Sequence, residues 1–138
     1  MEIIKNHLPS DEYFPNKTEK DTIILHHTAG SHRPDWVINA WDKDRSKGGK
    51  PSRVGTHYVI GGLSTRDNNS DWDGKILEAV PLDGWIHHIG SKNSNNVELN
   101  KKSIGIEICN YGPLTKSKDG TFYTYVNSIV PEDQVIDL

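Results

Sequence analysis

The stretch TIILHHTAG, from Thr22 to Gly30, joins an apolar run to two adjacent histidines and a turn of small residues. The continuous apolar run predicts a β-strand whose two faces are both covered. Because neighbouring residues of a strand point to opposite faces of the sheet, His26 and His27 cannot easily share one role. Either one of them serves a site while the other packs, or neither carries chemistry.

Three further segments are predicted to be strands, at 56–62, 75–81 and 103–109. The polar stretch 63–74 between the first two of these is typical of a long hairpin loop ending in Asp-Gly. In SIGIEIC, Ser103 to Cys109, the three isoleucines share one face, and Glu107 shares the other with Gly105 and Cys109. The small neighbours of Glu107 leave room on that face for another group.

One helix is predicted between the first two strands, over RPDWVINAWDKDR at 33–45. Pro34 suits its first turn, and Trp36, Val37, Ala40 and Trp41 fall on one face, which we interpret as core packing. The segments 46–55, 90–102 and 111–120 are predicted to be loops. A single helix is thin cover for four strands, and no amphipathic helix is predicted at the C-terminal end. Either the domain is unusually bare or the chain continues, and we favour the second interpretation.

Composition excludes several classes of protein. A length of 138 residues fits a single domain, and a net charge of −3 gives no electrostatic case for binding nucleic acid or an anionic membrane. No apolar run approaches the roughly 20 residues of a membrane span, and the N-terminal residues do not resemble a secretory signal. The single cysteine, Cys109, excludes an internal disulfide. We expect a monomer. We also expect it to reside in the cytoplasm until it is released, so another protein must deliver it if it acts outside the cytoplasm.

Histidines and one glutamate are the candidates for chemistry. Five of the seven histidines lie at or just beyond predicted strands, and histidines from several strand ends can converge in space. No short metal-binding motif is present, and a polar residue bonded to backbone or water is the alternative for each histidine. Glu107 lies in an apolar strand, where an unpaired charge is costly. A salt bridge, a hydrogen-bond network and an acid/base with a raised pKa all remain open for it.

Four segments in series resemble the zinc-dependent type-2 N-acetylmuramoyl-L-alanine amidases, a group related to peptidoglycan recognition proteins. They are TIILHHTAG, VGTHYVIGG, GKILEAVPLDGWIHHIGS and LNKKSIGIEICNYG, and the resemblance covers about residues 20–112 of one amidase-like domain, 1–138. It implies an α/β fold with a mixed central β-sheet flanked by helices; together with the thin helix cover, it favours a domain that is truncated on its C-terminal side over one that is complete. It also implies cleavage of the amide between N-acetylmuramic acid and the L-alanine of the stem peptide.

The resemblance assigns roles to individual residues. It implies that His26 is a zinc ligand, that Glu107 is the catalytic acid/base, and that Trp85 and His88 lie at the substrate groove, with His57 as a further substrate-binding candidate. A second branch of the family has a tyrosine just before the histidine of the second strand, where this chain has Thr56. Zinc with an open position would activate a water, and Glu107 could take its proton and pass it to the leaving amine.

One departure from the family is serious. The family takes two more zinc ligands from the region after SIGIE, yet no histidine follows Glu107 here. Only candidates outside a matching motif remain, namely Asp119, Asp133, Asp137 and Cys109. The first hypothesis is therefore a peptidoglycan amidase, or the N-terminal part of one, of the phage or prophage endolysin type. The alternatives are a peptidoglycan-binding module that has lost the metal, and a hydrolase with a different metal set from His26, His57 and His88.

Overall fold

The fold is described from a computed structural model, which describes residues 2–44, 48–64, 67, 69–90 and 94–135. A central sheet contains five strands in the order β1-β4-β3-β5-β2. The strands are β1 (Ile3–Lys5), β2 (Thr22–His27), β3 (Tyr58–Ile60), β4 (Ile76–Glu78) and β5 (Ser103–Ile108). Only β3 and β4 pair antiparallel, so the sheet is mixed, as predicted.

Two helices accompany this sheet, α1 (Pro34–Lys43) and α2 (Ser94–Lys102). Helix α1 follows β2 and begins at Pro34, as its sequence predicts, because proline fits the first helical turn. Helix α2 was expected to be a loop, and that prediction is wrong. The segment lacks an apolar stripe, so the 3.6-residue pattern that predicts helices is missing from SNNVELNKK. Its fully buried side chain is an asparagine, Asn100.

A second, three-stranded antiparallel sheet follows the central one. It contains β6 (Thr115–Lys116), β7 (Phe122–Tyr123) and β8 (Ile129–Val130), and a 3₁₀ helix at Glu132–Gln134 comes after it. Strand β6 lies inside the loop predicted at 111–120. These strands are two residues long, too short for the alternation of side chains to identify them in the sequence. The predicted helix end at Arg45 and the candidate ligand Asp137 lie outside the described residues.

The two faces of the central sheet differ sharply in burial. Helix α1 packs on one side, which we call the covered face, where Val59 and Leu77 of the sheet meet Ile38 in the core. Strand register places Ile23 and Leu25 on the opposite side with Ile104 and Ile106, and we call this the open face. Ile23 and Leu25 are 63% and 64% exposed. The expectation that β2 is covered on both faces is therefore wrong for the described part of the chain.

Candidate active site at the edge of the central sheet

The site lies where the adjacent strands β2 and β5 end. The two strands are parallel, and the register pairs His26 with Glu107 and His27 with Ile108. Register partners point to the same face, so His26 and Glu107 both lie on the covered face, while the exposed His27 lies on the open face. The alternation read from TIILHHTAG thus separates the two histidines as predicted.

Glu107 lines a cleft of about 310 Å³ between β5 and α1. The other lining residues come from the turn after β2 and from one side of the helix, namely Thr28, Ser31, Trp36, Val37, Ala40 and Trp41. Burial raises the pKa of the Glu107 carboxyl above its usual value, and the positive charge that His27 can carry opposes that shift. A partly desolvated carboxyl at the wall of a cleft is suited to acid/base chemistry.

The tryptophans of α1 correct one sequence interpretation. Both Trp36 and Trp41 are predicted to be core residues, but Trp36 is 55% exposed, lines the cleft and lies under the Arg33 guanidinium. Trp41 does pack against the core, and it also lines the cleft. The residues of α1 that are fully buried are Pro34 and Ile38, four positions apart. The helix therefore uses one stripe for the core and an adjacent stripe for the cleft.

His26 and His88 contact each other. The Nε2 atom of His26 is 3.0 Å from Nδ1 of His88, and the two rings are nearly perpendicular. Burial, with a smaller effect of His27, lowers the pKa of His26. Burial is also the main cause that lowers the pKa of His88 to about 4, helped by the neighbouring His26 and His57. Both imidazoles are therefore neutral near pH 7, the form that accepts hydrogen bonds or binds metals.

The ring of His88 lies directly on the backbone of Gly105. A Cβ at Gly105 would come within 2.9 Å of the imidazole, so any larger residue there would displace the ring. Helix α2 fixes the backbone of the same segment, because Asn100 Oδ1 accepts hydrogen bonds from the N–H groups of His88 and Ile89. Its Nδ2 donates to Gly90 O.

His57 and Trp85 lie deeper than the resemblance implies. His57 is 0% exposed; its Nδ1 accepts a hydrogen bond from Gly105 N–H at 3.1 Å, and its Nε2 lies 3.3 Å from Gly84 O. Trp85 is 8% exposed and is stacked on Phe14 at 3.8 Å between ring centroids. The structure thus places His26 next to Glu107 in the strand register and brings the rings of His88 and His57 close to it, whereas Trp85 contacts Phe14 and His87 instead. Their substrate-binding roles stay predictions.

The residues that hold His88 are not among the site residues predicted from the sequence. Asn96 and Asn100 are four positions apart, the spacing that places two side chains on one helix face, and Asn96 Nδ2 donates to Ile89 O. That spacing was the available signal, but it lies in a segment interpreted as loop. Ser103, which is fully buried, accepts from or donates to His88 Nε2 at 2.8 Å and was taken only as the start of a strand.

The resemblance to the amidases implies a zinc site. Catalytic zinc sites take three protein ligands. Among residues 2–44, 48–64, 67, 69–90 and 94–135, no group of three histidine, cysteine, aspartate or glutamate side chains is placed to hold a metal ion. The alternative set of His26, His57 and His88 does not form, because both ring nitrogens of His57 face backbone partners. The described residues therefore do not fit a zinc site on their own.

A sequence model of the N-acetylmuramoyl-L-alanine amidase family matches residues 16–134. The chain belongs to this amidase family. The match covers all five residues singled out above and both helices. The resemblance noticed in the four sequence segments is thereby confirmed, and so is the α/β fold with a mixed central sheet.

Solved structures share the fold of this amidase-family chain. PlyL is 18% identical with a TM-score of 0.56, and the match covers 80% of this chain and 58% of that one. A mutant endolysin from Bacillus subtilis is 21% identical with a TM-score of 0.55, covering 79% and 61%. The PlyG catalytic domain is 19% identical with a TM-score of 0.54, covering 79% and 56%. The match therefore spans less than two thirds of each of these chains. A search of curated proteins finds no significant match.

Proposed function

We propose that this protein hydrolyses the amide bond between N-acetylmuramic acid and the L-alanine of the stem peptide in bacterial peptidoglycan. Membership of the amidase family supports the reaction class. The observation that carries the proposal is the position of Glu107, half-buried at the wall of the cleft and in register with His26. The reaction needs a group that takes a proton from water and returns it to the leaving amine, and a carboxyl with a raised pKa can do both.

The proposal also states how the substrate would lie in the cleft. The scissile amide would lie beside Glu107, with the attacking water within reach of its carboxylate. The exposed ring of Trp36 and the side chain of Val37 offer an apolar wall for the groups that flank the bond. His88 would act by holding His26 rather than by touching the reacting atoms, since its two ring nitrogens already face His26 and Ser103.

The proposal includes peptidoglycan as the partner and an endolysin as the kind of enzyme. One neighbouring structure is that of an endolysin from Bacillus subtilis, and the same role would require release of this protein to the cell wall. Zinc is the cofactor typical of the family, with His26 the first candidate ligand. No step of the reaction is routed through zinc here, since the described residues offer no three-ligand set.

The test is digestion of purified peptidoglycan by the full chain, with the products identified by mass spectrometry. Stem peptides with a free L-alanine amino group, together with intact glycan strands, are the expected products. Glu107→Gln should lower turnover by about 10²–10⁴-fold, because the amide cannot take a proton from water. Glu98→Gln is the matched control, since Glu98 is an exposed glutamate of α2 paired with Lys101.

Two results would contradict the proposal. Unchanged turnover by the Glu107→Gln variant would remove Glu107 from the mechanism. Binding of peptidoglycan without any cleavage, with and without added Zn²⁺, would favour the alternative of a non-catalytic binding module. Zinc content measured on the purified chain, beside digestion in the presence of a chelator, decides whether the metal takes part.

A further inference from the structure

A line of hydrogen bonds runs from His26 into helix α2. His26 Nε2 meets His88 Nδ1 at 3.0 Å, His88 Nε2 meets Ser103 Oγ at 2.8 Å, and Ser103 Oγ meets Leu99 O at 2.6 Å. Each ring nitrogen in this line can either donate or accept, so the distances alone leave the direction of the protons open. The carbonyl at the end of the line decides it.

Leu99 O can only accept, and the Ser103 hydroxyl has one hydrogen. At 2.6 Å two bare oxygen atoms would repel each other, so that hydrogen lies between Ser103 Oγ and Leu99 O. Ser103 Oγ must then accept from His88, which places the His88 proton on Nε2 and leaves Nδ1 as an acceptor. His26 in turn donates from Nε2, and its own Nδ1 keeps a lone pair.

We propose that Ser103 is a positioning residue that fixes the tautomer of His26 through His88. The line ends in the last turn of α2, where a backbone carbonyl lacks its usual helical partner and is free to accept from Ser103. Ser103 is 0% exposed, so water does not compete for its hydroxyl. His26 then presents Nδ1 as a fixed lone pair, and no hydrogen bond to that atom is found within the described part of the chain.

The geometry around the line keeps it rigid. Asn100 holds the backbone N–H of His88, and the ring of His88 rests on Gly105 without space for a Cβ. The benefit to hydrolysis rests on the proposed function, because a lone pair of fixed direction matters only if His26 serves the reaction.

The test is the tautomer itself, read by long-range ¹H–¹⁵N correlation NMR on the full chain at pH 7. Both His26 and His88 are expected to carry their proton on Nε2. In Ser103→Ala the acceptor is gone, so His88 should lose its pure Nε2–H pattern and His26 should follow. Ser103→Thr restores a hydroxyl and should restore the pattern. Ser64→Ala, which removes the hydroxyl of another buried serine, should leave both tautomers unchanged.

Either of two results overturns the inference. One is a wild-type His88 with its proton on Nδ1, which needs no variant and so stands even if Ser103→Ala fails to fold. The other is a folded Ser103→Ala with unchanged tautomers. If the wild type hydrolyses peptidoglycan, Ser103→Ala should lose about 10–100-fold in kcat/KM, as is typical when a residue that orients a site residue is removed. Absence of hydrolysis in the wild type would refute the proposed function and leave the tautomer result intact.

Discussion

Two adjacent histidines of one strand are separated by strand geometry alone. His26 lies on the covered face beside Glu107, and His27 lies exposed on the open face, because successive side chains alternate across a sheet. What the alternation does not reveal is that His26 contacts another histidine, 62 positions later in the chain. The chemistry of one residue thus depends on a partner that is distant in sequence.

His57 gives a prediction about pH. Its pKa is lowered from 6.5 to about 4, mainly by burial and then by the charge of Lys20. Between these two pH values the unfolded chain binds this proton and the folded chain does not, so stability falls as pH falls from about 6.5 to about 4. The loss from this one group is at most about 3 kcal/mol. His26, His87 and His88 shift in the same direction and add to the slope.

Urea denaturation at several pH values measures this dependence. His57→Gln should be less stable than the wild type at pH 7, because it disturbs the hydrogen bonds to Gly105 and Gly84. The stability of this variant should also change less between pH 6.5 and 4, because it lacks the imidazole that titrates in this range. Asn95→Gln, which alters an exposed residue and no ionisable group, should keep the wild-type slope. An unchanged slope in His57→Gln would show that His57 does not titrate as described.

At the scale of elements, α2 shows that a helix can be fixed by polar side chains. The buried Asn100 accepts hydrogen bonds from the backbone N–H groups of His88 and Ile89. It donates a third hydrogen bond to the carbonyl of Gly90. Burying an amide is favourable only when its bonds are satisfied, and here all three bonds are made. The helix therefore positions His88 by hydrogen bonds, whereas most helices pack against their neighbours through an apolar stripe.

Asn100→Ala should be strongly destabilising. The change leaves the N–H groups of His88 and Ile89 unpaired, at a cost of about 1–3 kcal/mol for each buried group. We expect the free energy of unfolding, measured by urea denaturation, to fall by about 3 kcal/mol. Asn95→Ala is the matched control, because Asn95 is an exposed asparagine of the same helix, and its effect should stay within about 0.5 kcal/mol. Equal effects of the two variants would contradict the proposal that the hydrogen bonds of Asn100 to His88 and Ile89 stabilise the fold.

At the scale of the whole molecule, the central sheet has one face with buried side chains and one face that is only partly covered in the described residues. None of the strand residues on the open face is buried, whereas Val59 and Leu77 on the covered face are 0% and 2% exposed. Strand β2 is also the edge of the sheet. Exposed apolar residues on an edge strand favour association between molecules. No helix in the described ranges is both long and apolar enough to cross a membrane.

Replacing Ile23 by Thr and Leu25 by Lys should make the chain less prone to self-association. Both side chains are more than 60% exposed, so the free energy of unfolding should change by no more than about 0.5 kcal/mol. Sedimentation velocity over a range of concentrations measures the association. Val126→Lys, at a 56% exposed residue of the segment between β7 and β8, is the control for added charge alone. A large loss of stability would mean that this face is packed in solution.

The sequence by itself determined four of the five central strands, helix α1, the family and the candidates His26 and Glu107; the three-residue edge strand β1 was not predicted. These follow from local patterns, namely alternation, helical spacing and motifs in series, which are properties of neighbouring residues. It did not predict α2 or the small second sheet, because a polar helix and two-residue strands carry no periodic signal.

Only the tertiary structure decided how the site is held. The contact of His26 with His88, the support of His88 by Ser103 and Asn100, and the burial of His57 join parts of the chain that no local pattern relates. Trp36 and Trp41 show the same limit, since both are predicted to pack in the core, yet Trp36 is exposed at the cleft while Trp41 packs against the core. Periodicity reports that a face is apolar, and packing decides what that face meets.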